Sequence, residues 1–399
     1  MASPPLNALS TLRASGTTIA SDTAEYLQIA PFDPIDATTN PSLLYAAVSQ
    51  PSYAHLVERA VEFAVGRSTA DRAEVETGKE RGRIDSVVEL AVDRLIVEVG
   101  YQILQIIPGQ VSISLDPRIA YDTNTMVRKG VQLASLMEEL GVPTSRYLIK
   151  IPATHTGIQA AQILQSPPHN LRVNMTLIFG VVQAKACAEA GVSVVSPFVG
   201  RIMDWHLAQS DRTNPYPITS HPGVLTVRAI SDIYRQKGYK TRIMAAGFRT
   251  LDEIFALSDL NIVMTLPPSL LTKLQNSPPR PSFPFATETD ERTNGNSVSF
   301  TNGNGGGTFR ANGTEHRGEP LTNGKNINAH HLNGSYASPS SPSPTFPKQS
   351  LLDPQTYHAA LSAERIALEK VPEGLKKFSE DAERLEALVR ESVIRRLGK

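Results

Sequence analysis

Cysteine is almost absent from this chain of 399 residues; the single one is Cys187. One thiol builds neither a disulfide framework nor a zinc cluster, and so little cysteine fits a reducing compartment better than a secretory one. An excess of either charge is absent too. Lys plus Arg and Asp plus Glu number 39 each. That balance gives no general attraction to nucleic acid or an anionic membrane, so any basic site must be local. No run approaches the ~18 apolar residues of a membrane span. Residues 1–20 lack the basic start and apolar stretch of a secretory signal, and Leu397, Gly398 and Lys399 do not form a peroxisomal address. The expectation is a cytoplasmic protein with neither nucleic acid nor membrane as a partner.

What is present is an apolar fraction of 40%, enough for a sizeable core, and a repeating pattern. Short apolar runs at 111–115, 146–151, 172–176, 192–197, 241–246 and 261–265 are mostly rich in Val, Ile and Leu, as strands buried on both faces are. An earlier strand is expected at 16–20. Helical periodicity fills the gaps. The pattern at 123–140 ends at Gly141, that at 183–190 at Gly191, and that at 222–237 at Gly238. Each glycine is a candidate C-cap, and Pro222 stands where a first-turn proline is tolerated. Repeated βα units predict a parallel sheet, and their number suggests a barrel rather than an open sheet.

Residues 277–350 break the pattern. Dense in Asn, Gly, Ser, Pro and Thr, they bury too little apolar surface to offset ordering entropy and are expected to be a disordered insertion. Asn312 and Asn333 match the glycosylation pattern, which without a signal peptide reflects composition alone. Helical spacing resumes at 363–370 and 373–396, as in an amphipathic helix packed on the domain; the pattern is too short for sustained coiled-coil heptads.

Several side chains have chemical potential. Lys150 sits in the apolar segment Tyr147-Leu-Ile-Lys-Ile-Pro152. A buried ammonium is either paired or shifted toward the neutral amine that Schiff-base chemistry needs. The same lysine reads equally as a strand-end residue that snorkels to solvent. In Asp36-Ala-Thr-Thr-Asn-Pro-Ser42, short polar groups suit sugar hydroxyls, and Asn40 equally suits a helix N-cap. Asp22 stands at the end of the first strand, where an aspartate is a general base or a helix cap. Arg201 and Arg249 each follow a strand. Together they suggest a phosphate clamp; singly, each reads as an exposed ion-pair partner.

Taken together, these segments resemble transaldolases. The resemblance rests on Asp36-Ala-Thr-Thr-Asn-Pro-Ser42, Leu148-Ile-Lys150, Asn174-Met-Thr-Leu177, Cys187-Ala-Glu-Ala-Gly-Val192, Ser196-Pro-Phe-Val-Gly-Arg-Ile-Met-Asp-Trp205 and the stretch from Tyr234 to Arg249. It covers roughly residues 8–275 and resumes over 351–397. It implies an α/β fold: a single (β/α)8 TIM barrel whose main part is 1–276, with a disordered insertion at 277–350 and extra C-terminal helices at 351–399 completing the domain. The implied reaction belongs to the pentose phosphate pathway. A dihydroxyacetone unit passes from sedoheptulose 7-phosphate to glyceraldehyde 3-phosphate, giving erythrose 4-phosphate and fructose 6-phosphate.

By matching position, Lys150 is the Schiff-base lysine and Asp22 the acid/base aspartate, 18 residues before Asn40. Thr176 holds the catalytic water. Thr38, Asn40, Asn174 and Ser196 bind or orient the dihydroxyacetone hydroxyls, Phe198 lines the site, and Arg201 and Arg249 bind phosphate. No cofactor and no metal are implied. Sugar phosphates are the implied partners, and association into a homodimer stays open.

Two departures stand out. The family carries a glutamate, a proton shuttle, 36 residues before the lysine; here that position is Ser114. A serine hydroxyl does not titrate near neutral pH. Asp116 on the same strand face is shared with the family, and His155 nearby titrates in the right range but also reads as a loop residue. Gly247 replaces a serine that contacts phosphate. Two alternatives therefore stand beside the transferase: a lyase releasing dihydroxyacetone to water, and a catalytically impaired paralogue that binds sugar phosphate.

Overall fold

A computed structural model of the chain describes residues 6–70, 80–210, 216–281 and 349–398. Its centre is eight short strands: β1 (Thr18–Asp22), β2 (Asp36–Thr38), β3 (Val111–Ser114), β4 (Tyr147–Pro152), β5 (Val173–Ile178), β6 (Val194–Pro197), β7 (Arg242–Ala245) and β8 (Val263–Leu266). Each strand pairs in parallel with the next and β8 returns to β1, closing the barrel. The expected strands fall within two residues of those observed. The first lies slightly later than 16–20 and thereby includes Asp22. Except for its ends, the expected insertion at 277–350 lies outside the described residues.

The helices begin and end where local chemistry directs. Helix Thr123–Glu139 starts at Asp122, whose carboxylate accepts from the Thr125 N–H at 3.0 Å. Helix Pro222–Lys237 has its proline in the first turn and stops at Gly238, whose φ of 67° suits glycine. Helix Pro41–Val48 is capped by Asn40, whose side chain accepts from the Leu43 N–H at 3.0 Å.

Strand alternation divides the barrel interior into layers. Ala20, Leu148, Val194, Met244 and Val263 form one buried apolar cluster. Two residues further along the same strands, the same inward direction carries Asp22, Lys150, Ser196 and Thr265. An apolar plug thus lies beneath a polar floor, and that floor faces the C-terminal ends of the strands, where barrels build their active sites. In β5 the register against β6 shifts between Met175 and Ile178, and Leu177 has φ +59°. A β-branch-free but bulky residue held there costs about 1–3 kcal/mol, a strain that concentrates at functional sites.

The C-terminal region forms helices Pro354–Leu361 and Arg365–Arg396. The two helical patterns at 363–370 and 373–396 are one helix that continues through Pro372. Proline removes one intrahelical hydrogen bond, but Val371, Leu375 and Phe378 on the inner face are buried against the barrel, and that packing outweighs the local preference. Glu364 anchors the start of this helix. Its carboxylate accepts from the Val181 and Val182 N–H groups, at 2.7 and 2.9 Å, at the N-terminus of helix Val181–Glu189. A Cβ at Gly180 would meet that carboxylate and oblige it to shift.

Candidate active site

Lys150 is buried in the middle of β4. Its Nζ donates to the Thr39 carbonyl at 3.0 Å, and no carboxylate among the described residues lies within ion-pair distance of it. Burial pushes its pKa below the ordinary 10.5; Asp22 opposes that shift and Arg201 adds to it. This is the environment that turns a lysine into a neutral nucleophile.

Asp22, at the end of β1, faces the same cavity. Burial raises its pKa, while Lys150, the Thr38 hydroxyl and Arg201 pull it down. It caps no helix. Thr38 donates to its Oδ1 at 2.7 Å, and Thr38 in turn lies 2.6 Å from the Thr265 hydroxyl. Thr265 was not anticipated from sequence. Its only signal is one polar residue in the apolar run of β8, at an inward position.

On the neighbouring strands, Asn174 stands in register with Lys150. Its amide group donates to Ser112 Oγ at 3.0 Å, and its carbonyl accepts from Ser196 Oγ at 2.8 Å. These bonds hold the amide in one orientation. Thr176 lies two residues further along β5, and its buried Oγ1 has no hydrogen-bond partner among the described residues. Such an orphaned hydroxyl is costly unless a ligand or water uses it.

The cavity occupies about 410 Å³. Asn40, Ser196 and Phe198 line its walls, and Arg201 and Arg249 stand at its outer end. The Arg201 guanidinium lies 4.8 Å from the Phe198 ring centre and 5.5 Å from that of Phe378, an arrangement that fixes its direction without neutralising it. Burial and the nearby Arg249 both lower its pKa. Arg249 bonds Asp204 at 3.0 Å. Two cations held near each other at the end of a narrow cavity favour a dianion such as a phosphate monoester.

The C-terminal helix adds residues that the sequence did not single out. Lys370, Glu373, Gly374, Lys377 and Phe378 all line the cavity. They lie 169 or more residues from Arg201 in the chain, so only the folded helix crossing the barrel mouth reveals them. Among the described residues, no group of His, Cys, Asp and Glu is arranged to hold a metal ion, and no helix is long and apolar enough to cross a membrane.

A family model described as transaldolase/fructose-6-phosphate aldolase matches residues 19–299. The chain belongs to the transaldolase/fructose-6-phosphate aldolase family. A transaldolase of Kluyveromyces lactis is 43% identical over 272 residues, 68% of this chain and 76% of that protein. A transaldolase of Schizosaccharomyces pombe is 43% identical over the same length, 79% of its own chain. Transaldolase NQM1 of Saccharomyces cerevisiae is 34% identical over 388 residues, 97% of this chain and 96% of that protein.

Within this transaldolase-family barrel the two departures have distinct surroundings. Ser114 is the register partner of Lys150 on β3, and its Oγ donates to the same Thr39 carbonyl, at 3.2 Å. It lines a second cavity, of about 550 Å³, rather than the one holding Lys150. Asp116 is engaged elsewhere, bonded to Arg118 at 2.6 Å. His155 is tied to the C-terminal segment: its Nε2 lies 3.2 Å from the Leu352 carbonyl, and its ring packs on Tyr357 and His358. His155 is the first residue of helix His155–Gln165 rather than a loop residue, and these contacts engage it with the C-terminal segment. Gly247 has φ +69°, and a Cβ there would approach the Phe198 ring to 3.2 Å. In this backbone conformation glycine is the unstrained residue.

Proposed function

We propose that the chain transfers a dihydroxyacetone unit from sedoheptulose 7-phosphate to glyceraldehyde 3-phosphate through a Schiff base on Lys150. The observation that carries this is the buried Lys150 amine, bonded among the described residues only to a carbonyl oxygen, in one cavity with Asp22 and the Arg201–Arg249 pair. The neutral amine attacks the ketose C2 carbonyl, and the resulting carbinolamine loses hydroxide to give a protonated imine. Asp22 takes the C4 hydroxyl proton as the C3–C4 bond breaks, and the electrons of that bond pass into the enamine. The first aldose leaves, and the enamine carbon then attacks the acceptor aldehyde, whose oxygen receives the proton from Asp22. Hydrolysis frees the new ketose.

Asn40, Asn174 and Ser196 would hold the dihydroxyacetone hydroxyls and keep the enamine from being released early. Thr176 would hold the water of the hydration steps, a role supported by its unpartnered hydroxyl. The two arginines would take the phosphate. A cytoplasmic setting and sugar-phosphate partners accompany this reading, as does completion of the barrel domain by residues 351–399.

Ser114 favours a second reading, a sugar-phosphate binder with little turnover. Positioned acid–base groups supply ~10²–10⁴-fold, and a serine beside the nucleophile supplies none by itself. Steady-state turnover of fructose 6-phosphate with erythrose 4-phosphate separates the two. Activity that disappears in Lys150→Ala establishes the transfer. Folded wild-type protein with no turnover above that control rules it out in favour of the binder. Free dihydroxyacetone as the main product would instead identify a lyase.

A further inference from the structure

We infer that Lys377, on the C-terminal helix, is a specificity-determining residue that selects phosphorylated over unphosphorylated sugars. The ligand follows from the reading above; the placement of the lysine rests on separate observations. The cavity-lining residues Lys370, Glu373, Gly374, Lys377 and Phe378 are spaced at 0, 3, 4, 7 and 8, which is one face of a helix. Gly374 marks where that face comes nearest the barrel. A Cβ on it would meet Leu177 Cδ2 at 2.8 Å and lie 3.5 Å from an Arg201 guanidinium nitrogen. Lys377 is one turn further on, a rise of about 4.5 Å. Its neighbour Phe378 packs against Arg201. The lysine is therefore delivered to the same end of the cavity as the arginine pair.

Its charge is also uncommitted. Lys370 is bonded to Glu373 and Arg249 to Asp204. Lys377 is exposed and, among the described residues, has no carboxylate within ion-pair distance. With the Lys150 amine neutral, the cavity lining holds Arg201, Arg249, Lys370 and Lys377 against Asp22, Asp204 and Glu373. That leaves a surplus of one positive charge, which Lys377 supplies, toward a phosphate monoester carrying about −1.5 to −2 near neutral pH. A flexible ammonium acts as a point charge with little demand on angle. Lys377 can thus follow the phosphate of sugars that differ by one carbon, while Arg201, clasped between two rings, cannot. The contribution is electrostatic, partly exposed and open to screening by salt.

The test compares the full-length wild type with Lys377→Gln and Lys377→Arg at low ionic strength. Calorimetric binding of inorganic phosphate and of fructose 6-phosphate is expected to weaken about fivefold in Lys377→Gln and to recover in Lys377→Arg. The difference is expected to shrink in 0.5 M salt, about a 4 Å screening length. In turnover, kcat/KM is expected to fall for glyceraldehyde 3-phosphate through KM, with kcat held within about twofold, and to stay level for unphosphorylated glyceraldehyde. Unchanged phosphate binding in folded Lys377→Gln overturns the inference, as does equal loss for both aldehydes. The binding measurement needs no turnover, so an inactive wild type sinks the proposed reaction and leaves this test readable.

Discussion

Two buried lysines in this barrel carry opposite protonation tendencies. Lys129, on helix Thr123–Glu139, lines the cavity of about 550 Å³ and touches Asp93 and Glu89, each at 2.6 Å. Burial pulls its pKa down, but the two carboxylates outweigh it and the net shift is upward. Among the described residues Lys150 has a carbonyl as its only hydrogen-bond partner, and its net shift is downward. Burial penalises the ammonium at both sites, so burial alone does not make a nucleophile. The partner decides, because one pKa unit corresponds to about 1.4 kcal/mol of preference between the two protonation states. The first lysine is a structural cation, and the second is an amine kept from full ion pairing.

The sharpest way to break that contrast is to replace each lysine with methionine. Lys150→Met is expected to abolish turnover while leaving stability unchanged or about 1 kcal/mol higher, since it removes an ammonium that the fold disfavours. The sign follows from linkage. Between the lowered pKa and 10.5 the unfolded chain binds more protons at Lys150, so stability rises with pH in that window, and the variant loses this slope. Lys129→Met is expected to cost about 3–5 kcal/mol in urea unfolding, because Asp93 is left buried and unpaired, with kcat nearly unchanged in the folded enzyme. A stabilised Lys129→Met would show that the pair is dispensable, and the comparison would fail.

Smaller effects refine it. Asp22→Asn is expected to reduce kcat by about 10²–10⁴-fold while a Schiff base still forms, as borohydride trapping with fructose 6-phosphate would detect. Loss of trapping along with turnover would place Asp22 in imine formation instead. The acidic, ascending limb of kcat/KM, where the amine loses its proton, should have an apparent pKa below 10.5, set by Lys150; activity that rises only at or above 10.5 would contradict the proposed neutral amine. Ser114→Glu is expected to raise kcat by about tenfold. The adjoining cavity gives the longer side chain room, and the new carboxylate would bring proton transfer beside Lys150. A slower Ser114→Glu enzyme would mean that holding Lys150 more strongly protonated outweighs the gain.

Much of this was legible in the chain. Apolar runs buried on both faces marked the strands β3 to β8, and Gly141, Gly191 and Gly238 marked helix ends, because these signals are local. Lys150, Asp22, Asn174, Ser196 and the two arginines were visible from the motifs; the fold brings all but Asn174 to the lining of one cavity, and Asn174 stands in register beside Lys150. The same local logic explains the errors. The gap between the helical patterns at 363–370 and 373–396 is not a break, because the buried face of the C-terminal helix carries it through Pro372. His155 was open to two readings from sequence, and Leu352, Tyr357 and His358, some 200 residues away, engage it. Thr265 and the cavity face of the C-terminal helix were missed because neither has a local mark of function.

The sequence by itself determined the strand–helix alternation, the barrel and the family, since these follow from periodicity, caps and motifs read within short windows. Only the tertiary structure decided which buried lysine is paired and which is not, that Ser114 shares the Thr39 carbonyl with Lys150, and that a distant helix brings Lys370 and Lys377 to the arginines. Those outcomes depend on distances of a few ångströms between residues far apart in the chain, and both desolvation and Coulomb energies are set at that scale.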